Sequence, residues 1–187
     1  MRVYVEKLTD VELARRACKY TLHSHADTKI KLDKLYGSEH SPARTQWFWI
    51  ELDGIPSYVS THFVRHKIGV EHYVKTNRLD RGATEIADRN TPVNHALMIN
   101  AQALINMSRK RLCTNADEVT REVMFYIKDA VEKCDPDLAE FMVVDCEYRG
   151  LCFEPVCCGR APSYFVGFTI TNKHADNRFD TDDEECD

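Results

Sequence analysis

The aromatic run RTQWFWIEL at residues 44–52 is followed directly by the turn-forming segment DGIP. This change in composition limits the folds that the chain can adopt. Aromatic and β-branched residues favour a strand, and a helix is predicted to begin near Pro56. The N-terminal stretch VYVEKL predicts another short strand, and Thr9 with Glu12 predicts a capping box ahead of a second helix. The sequence therefore predicts a fold of the α/β (α+β) class.

The second half of the chain is predicted to be mainly helical. One helix is predicted from about Pro92 to Arg111, and another from about Asn115 to Cys134. Residues 79–90 are polar and indicate a loop or a short helix.

Polar side chains flank the apolar face of the predicted helix at 92–111. At about 100° per residue, Asn100 and Arg111 lie along one edge of that face, and Gln102 and Asn106 share another side. These groups are either simply solvated or arranged to grip a planar polar ligand. Amides match the edges of heterocycles, and arginine contacts carbonyl or phosphate oxygen, so the helix leaves both interpretations open.

Length, composition and charge restrict the function. With 187 residues and 43% hydrophobic content, the chain can bury one core, and we predict one domain over residues 1–165 with an acidic, disordered tail over 166–187. The formal charge of −5 argues against general binding to nucleic acid or to an anionic membrane. Because the N-terminal stretch lacks an apolar signal core and no run is long enough to span a membrane, we expect a cytoplasmic protein.

Eight cysteines are present, and four of them lie in the segment CEYRGLCFEPVCCGR. Four thiolates could bind zinc, but the spacing is not that of paired C-x₂-C motifs, and the adjacent Cys157 and Cys158 rarely both reach one tetrahedral ion. A chain without an export signal favours reduced thiols over a disulfide framework. We therefore predict free cysteines and no metal site.

Basic residues and histidines crowd together in STHFVRHKIGVEHYVKTNRLDR, residues 60–81. Arg65, His66 and Lys67 fall at the end of a predicted helix, where the helix dipole stabilises cations, and this alone would explain them. The polar segment that follows adds the guanidinium groups of Arg78, Arg81 and Arg89. Several guanidinium groups could converge on one phosphate or pyrophosphate, so a local anion site is the alternative.

These segments, in this order, resemble the flavin-dependent thymidylate synthases. RHKIGVEHYVKTNR is similar to that family's Arg-His-Arg motif, which ends in a Ser-x-Arg element. SEHSPARTQWFWIELDGIPSYVSTHFVRH is similar to the elements that precede the motif. NAQALINMSRKRLCTNADEVTREVMFYIKDAVEKCDPDLAEF is similar to the family's Asn-Ala-Arg helix and to the helix after it. The resemblance covers most of residues 1–154.

The resemblance implies the family's fold, a small sheet with long helices, in a homotetramer whose active sites lie between subunits. It implies an enzyme that methylates dUMP to dTMP, or that alkylates a related pyrimidine nucleotide at C5. The implied cofactor is FAD, with NADPH as the reductant and methylenetetrahydrofolate as the carbon donor. The alternative is a homologue of the same fold that binds flavin or nucleotide without catalysis.

The resemblance also assigns roles to individual residues. Arg111 falls on the arginine that binds the uracil ring, and it is the catalytic candidate, because a guanidinium that stabilises negative charge on the ring makes C5 nucleophilic. The residues at FAD-contacting positions are Ser41, Arg65, His66, Lys67, Asn100, Gln102 and Asn106. The residues at substrate-contacting positions are His62, Arg65, Thr76, Arg78, Arg89 and Arg111.

The sequence departs from the family's pattern at three places. Lys67 replaces an arginine, so a two-point contact would become a single point charge. At the serine position the chain offers Lys75 or Thr76, and the segment 79–99 is much shorter than the family usually has.

Overall fold

The fold is a four-stranded antiparallel sheet with helices packed on one of its faces. The computed structural model describes residues 1–21, 29–83 and 86–165. The acidic tail predicted at 166–187 lies outside these residues. The strands are β1 (Arg2–Lys7), β2 (Trp47–Pro56), β3 (Val70–Val74) and β4 (Pro92–Asn100).

Seven α-helices and two short 3₁₀ turns connect and cover the strands in the described part of the chain. The helices are α1 (Val11–Thr21), α2 (Leu32–Gly37), α3 (Ser57–Val64), α4 (Ala101–Arg111), α5 (Glu118–Cys134), α6 (Pro136–Phe141) and α7 (Asp145–Arg149). The 3₁₀ turns are Ser41–Thr45 and Leu79–Arg81. No helix among the described residues is long and apolar enough to span a bilayer.

The strand order in the sheet is β1-β2-β4-β3, and each neighbouring pair is antiparallel. Along β2, every second side chain is fully buried, as the alternation of Phe48, Ile50 and Leu52 shows. The core lies between this face of the sheet and the helices. The predicted α/β (α+β) class, with a small sheet, is therefore confirmed.

The predicted helix from Pro92 to Arg111 is wrong over its first half. Strand β4 occupies this part and pairs with both β2 and β3, and α4 begins only at Ala101. The physical reason is an alternation with a period of two residues, because every second side chain of β4 points into the core. These buried residues are Val93, His95, Leu97 and Ile99.

Helix α1 is capped by Asp10 and not by the predicted pair of Thr9 and Glu12. The Asp10 carboxylate accepts a hydrogen bond of 3.0 Å from a backbone N–H in the first turn. The Thr9 hydroxyl donates to the Thr45 carbonyl at 3.0 Å and accepts from the Trp47 N–H at 2.9 Å. These two hydrogen bonds hold Thr9, which precedes α1, against the start of β2.

Candidate functional site

Arg111, the last residue of α4, lies against the end of α3. Its Nε–H donates to His66 Nε2 at 3.0 Å, and its Nη2 donates to the His62 carbonyl at 2.7 Å. The chain brings these groups together because β3, which follows α3, pairs with β4, which leads into α4. Three of the residues singled out from the sequence therefore meet in one cluster.

The partners of Arg111 are electrically neutral. Burial, then the charge of Arg111, then His72 lower the pKa of His66 to about 4, so its imidazole is neutral at neutral pH. Guanidinium N–H groups can only donate, so His66 accepts at Nε2 and carries its proton on Nδ1. Among the described residues, no carboxylate forms an ion pair with Arg111.

The positive charge at Arg111 is reinforced by a second guanidinium. Burial, followed by the nearby charge of Arg65, lowers the pKa of Arg111 from its usual value. Arg65 caps the C-terminal end of α3 and is exposed. A cation with neutral partners and a like charge nearby favours the arrival of an anion.

His62 joins the cluster to the start of α5. Its Nδ1 lies 2.7 Å from Thr120 Oγ1, and that hydroxyl donates to the Asp117 carboxylate at 2.9 Å. Since the hydroxyl has a single proton, His62 Nδ1–H is the donor to Thr120. Burial first, and then the charge of Arg111, lower the pKa of His62.

Arg89 lies beside α3, where its guanidinium contacts an aromatic ring. Its guanidinium carbon is 5.0 Å from the centre of the Tyr58 ring, a cation–π distance. The Tyr58 ring in turn packs edge-on against His62, with 5.7 Å between ring centres. Arg89 is therefore placed on the rim of the cluster.

A chain of hydrogen bonds through two further histidines supports the backbone of His66. His72 Nε2 lies 2.7 Å from the His66 carbonyl, His72 Nδ1 lies 3.0 Å from His95 Nε2, and His95 Nδ1 lies 3.0 Å from Ser60 Oγ. A carbonyl only accepts, so His72 Nε2–H is the donor to His66. The side chains of Ser60, His95 and His72 thus form one hydrogen-bonded row that ends at the backbone of His66.

Sequence reasoning missed His72, His95 and Ser60. Each histidine occupies an inward-facing position of a strand, but the sequence analysis predicts a helix at residues 92–100 and no strand at residues 70–74. Recognising the alternation in VEHYV and VNHALMIN would have placed both rings on the inner face of one sheet. The signal was present, but the polar histidines obscured it.

Gln102 and Asn106 lie in a second cluster, built around Glu39. Gln102 Nε2 donates to Glu39 at 2.6 Å and to Asn106 Oδ1 at 3.3 Å. Arg109 forms an ion pair with Glu39, and its guanidinium lies 3.5 Å from the centre of the Tyr148 ring. Burial acts to raise the pKa of Glu39, but hydrogen bonds from Arg109, Tyr148 and Gln102 lower it on balance.

Two polar atoms of this second cluster are buried without a partner. They are Gln102 Oε1, an acceptor, and Arg109 Nε, a donor. The backbone of Glu39 itself has a φ of +50°, which is uncommon for a residue with a side chain. Unsatisfied groups next to a strained residue are typical of places where a ligand binds.

Asn100 has a structural role at the start of α4. Its side chain accepts from the Ala103 N–H at 2.9 Å, and its own N–H donates to the Gly69 carbonyl at 3.0 Å. A Cβ added at Gly69 would lie 2.4 Å from Asn100 Nδ2. The two backbones therefore approach closely where the Arg65–Lys67 segment turns into β3.

The remaining predicted residues are not joined to either cluster. Ser41 begins a 3₁₀ turn and Lys67 follows α3, and both are exposed. Thr76 lines an open groove of about 340 Å³ beyond β3. Arg78 pairs with Asp80 at 2.6 Å, and no hydrogen bond or ion pair of the described residues links it to Arg111.

Comparison with known proteins shows the fold of this chain. No protein-family model matches it, and no curated protein matches it. The flavin-dependent thymidylate synthase ThyX from Helicobacter pylori, complexed with FAD and dUMP, superposes with a TM-score of 0.62 at 14% identity, over 76% of this chain and 100% of that one. A second structure of that enzyme with FAD and dUMP gives 0.62 at 16% identity, over 76% and 99% of the two chains.

A related methylase gives a similar result. The UMP/dUMP methylase PolB from Streptomyces cacaoi, bound with 5-Br dUMP, superposes with a TM-score of 0.57 at 15% identity, over 75% of this chain and 94% of that one. The chain therefore has the fold of the flavin-dependent thymidylate synthases, as the sequence resemblance predicted.

Proposed function

We propose that the protein catalyses the FAD-dependent methylation of dUMP to dTMP, with methylenetetrahydrofolate as the carbon donor and NADPH as the reductant. The observation that carries this proposal is the state of Arg111, a partly buried guanidinium held by the neutral His66 ring and the His62 carbonyl. Such a group is oriented but not neutralised, and it suits a substrate ring that develops negative charge. The shared fold supports the same assignment.

Arg111 would supply the chemical assistance that the pyrimidine needs. Carbon C5 of uracil becomes nucleophilic when negative charge on the ring is stabilised, and a fixed guanidinium does this without a protein nucleophile. The His66 ring and the His62 carbonyl keep the guanidinium plane in one orientation before substrate arrives. Arg65, exposed at the end of α3, would bind the phosphate of the nucleotide.

The second cluster offers groups that fit FAD. The buried, unpartnered Gln102 Oε1 and Arg109 Nε are one acceptor and one donor, the combination that the edge of a heterocycle can satisfy. Asn106 is exposed and its Oδ1 accepts from both Gln102 and Arg109, so its Nδ2 group can donate to a ligand. The chemistry that bound FAD supplies to this reaction is a hydride, which NADPH replenishes.

We also propose that the functional unit is a cytoplasmic homotetramer with active sites between subunits. Within one chain, Ser41, Lys67 and Thr76 are exposed and not joined to Arg111. A neighbouring subunit would be needed to bring residues from such separate surfaces into one pocket. This separation supports the assembly that the resemblance implies.

Binding measurements test the proposal. We expect the purified protein to bind FAD in a fluorescence or absorbance titration, and the FAD-loaded protein to bind dUMP by calorimetry. Asn106→Ala should weaken FAD binding by about three- to tenfold, the loss of about one hydrogen bond. Asn94→Ala, a change at another exposed asparagine, is the matched control and should leave FAD affinity unchanged. A folded protein that binds neither ligand would refute the proposal.

One observation favours a second candidate, a homologue that binds flavin or nucleotide without catalysis. Arg78, which the resemblance places on the nucleotide, is engaged by Asp80 on an exposed loop, and the chain has Thr76 or Lys75 where the family has serine. Under this alternative, FAD and nucleotide bind but no product forms. The two candidates therefore differ in turnover and not in binding.

A further inference from the structure

The imidazole of His62 is held at one ring nitrogen and open at the other. Its Nδ1 lies 2.7 Å from Thr120 Oγ1, whereas no hydrogen bond among the described residues uses Nε2. The two nitrogens point in nearly opposite directions from the ring, so Nε2 faces away from Thr120. The side chain is half-buried, and Nε2 is therefore the atom of this ring that a ligand can contact.

Asp117 determines where the proton between Thr120 and His62 lies. Asp117, the N-cap of α5, accepts two hydrogen bonds of 2.9 Å at Oδ2, one from the Thr120 backbone N–H and one from the Thr120 hydroxyl. Burial acts to raise the pKa of Asp117, but the hydrogen bonds from Thr120 lower it on balance, so the group is a carboxylate that can only accept. Since the single hydroxyl proton goes to Asp117, the proton shared with His62 is carried by Nδ1.

This arrangement selects one tautomer of His62. Burial first, and then the charge of Arg111, lower the pKa of His62, so its ring is neutral at neutral pH. A neutral imidazole with its proton on Nδ1 has a lone pair on Nε2, which makes that nitrogen a hydrogen-bond acceptor. Thr120 is fully buried, so water does not compete for its hydroxyl.

The acceptor belongs to the same residue that holds Arg111. Arg111 Nη2 donates to the His62 carbonyl at 2.7 Å, which brings the guanidinium to the end of α3. A guanidinium carries five N–H donors, and the hydrogen bonds to His66 and His62 occupy two of them. His62 Nε2 thus adds an acceptor beside a group that can only donate.

A donor next to an acceptor fits one edge of uracil. The ionised phosphate and the carbonyl oxygens of dUMP only accept hydrogen bonds, so its donors are the N3–H of the base and the 3′-hydroxyl of the sugar. Arg111 is proposed to bind the base, in which N3–H lies between two carbonyl oxygens. In cytosine, N3 carries a lone pair instead, which would face the lone pair of His62.

We infer that His62 Nε2 accepts a hydrogen bond from N3–H of the pyrimidine and thereby selects uracil over cytosine, with Thr120 and Asp117 as its positioning residues. This assignment rests on the proposed function, because it states how the same site recognises its base. An acceptor at N3–H also increases the negative charge on the ring, the charge that Arg111 would stabilise.

Binding of dUMP and dCMP to the FAD-loaded protein, measured by competition calorimetry, tests the role of the tautomer. Thr120→Val keeps nearly the same side-chain shape but removes the hydroxyl, so either nitrogen of His62 can then carry the proton. We expect the wild-type protein to prefer dUMP. In Thr120→Val, dUMP affinity should fall by about three- to tenfold and dCMP affinity should rise, so the preference for dUMP drops by about tenfold or more.

Two further variants and one spectrum complete the experiment. Thr120→Ser keeps the hydroxyl and should retain the wild-type preference. Thr61→Val, at an exposed threonine of α3 beside His62, is the matched control and should leave both affinities unchanged. Nitrogen-15 NMR of the histidine-labelled wild-type protein should show a proton on His62 Nδ1 and none on Nε2.

Three results would overturn this inference alone. Equal losses of dUMP and dCMP affinity in Thr120→Val would make Thr120 a merely structural residue. If the loss in Thr120→Val disappears with 2′,3′-dideoxyuridine monophosphate, the donor is the 3′-hydroxyl and not N3–H. A protonated Nε2 in the wild-type spectrum would contradict the tautomer, and this readout holds even where Thr120→Val fails to fold. A folded wild-type protein that binds no dUMP would instead refute the proposed function, and this assignment with it.

Discussion

Arg111 is the residue on which the proposed chemistry depends most. Its guanidinium is held from two sides, by the His66 ring at 3.0 Å and by the His62 carbonyl at 2.7 Å. That geometry needs two donors in one plane, and lysine offers a single ammonium group instead. The planar fork, and not only the positive charge, is therefore what the surrounding residues hold in place.

Substitution of Arg111 should lower turnover far more than FAD affinity. We expect Arg111→Ala to reduce the turnover number by about 10²–10³, the usual cost of losing one charge-stabilising donor. Arg111→Lys should recover little of this loss, because a point charge does not replace the fork. Turnover and FAD titrations on both variants, with the exposed Arg2→Ala as control, provide the measurement. Near wild-type turnover in Arg111→Lys would contradict the assignment.

His95 should make the folded state sensitive to acid. Burial first, and then the neighbouring His72, lower the pKa of His95 to about 4 in the folded protein, against about 6.5 in an unfolded chain. Between these values the unfolded chain binds a proton that the folded chain does not. The free energy of unfolding is therefore unaffected above about pH 6.5 and falls toward about pH 4, by up to about 3 kcal/mol for this group.

Urea unfolding at a series of pH values tests this expectation. His95→Gln keeps one donor and one acceptor for Ser60 and His72 but does not titrate, so its free energy of unfolding should fall less steeply with acid. His40→Gln, at an exposed histidine, should keep the wild-type pH dependence. If the His95→Gln and wild-type curves were parallel, His95 would not be the group responsible.

At the scale of secondary-structure elements, the approach of Gly69 to Asn100 sets how β3 and α4 meet. Gly69 has a φ of +74°, and an added Cβ would lie 2.4 Å from Asn100 Nδ2. Gly69→Ala should therefore lower the free energy of unfolding by about 2–4 kcal/mol, through the backbone conformation and the clash together. It should also displace the Asn100 cap.

Gly54 provides the matched control for that substitution. Its φ is +72°, but an added Cβ would meet no atom within 4 Å. Gly54→Ala should cost only the conformational part, about 1 kcal/mol. Chemical denaturation of both variants gives the comparison, and equal losses would mean that the contact with Asn100 contributes nothing.

The strand β4 shows why part of the fold could not be predicted from the sequence. Residues 92–100 share their apolar content with the helix that follows, and the buried His95 interrupts the alternation that marks a strand. Strand pairing on both sides decides the outcome, and that pairing is a non-local property. By contrast, β1, α3 and α5 carry local signals and were predicted within a few residues of their bounds.

Part of the candidate site, like part of the fold, could be predicted from the sequence. The pairing of Gln102 with Asn106 follows from helical spacing, and the crowding of basic groups after α3 is visible in the sequence. The Arg111–His66 contact joins residues far apart in the chain and depends on how β3 pairs with β4. No local pattern points to Glu39 as the partner of Arg109, because that contact depends on an unusual backbone conformation.

For the whole molecule, the prediction is a homotetramer. The chain mass is 21.6 kDa, and sedimentation velocity at micromolar concentration should give a species of four times that mass. Because the active site is expected to contain groups from more than one subunit, FAD binding should weaken as the protein is diluted below the assembly range. A monomer that binds FAD as tightly as the assembled protein would contradict this expectation.

The most direct test of the proposed function is tritium release from [5-³H]dUMP by the assembled protein with FAD, NADPH and methylenetetrahydrofolate. Replacement of the C5 hydrogen by a carbon unit must release tritium to water, and we predict release that requires all three additions and is lost in Arg111→Ala. FAD and dUMP binding without any tritium release from the complete mixture would contradict the proposed methylation and leave the non-catalytic homologue in its place.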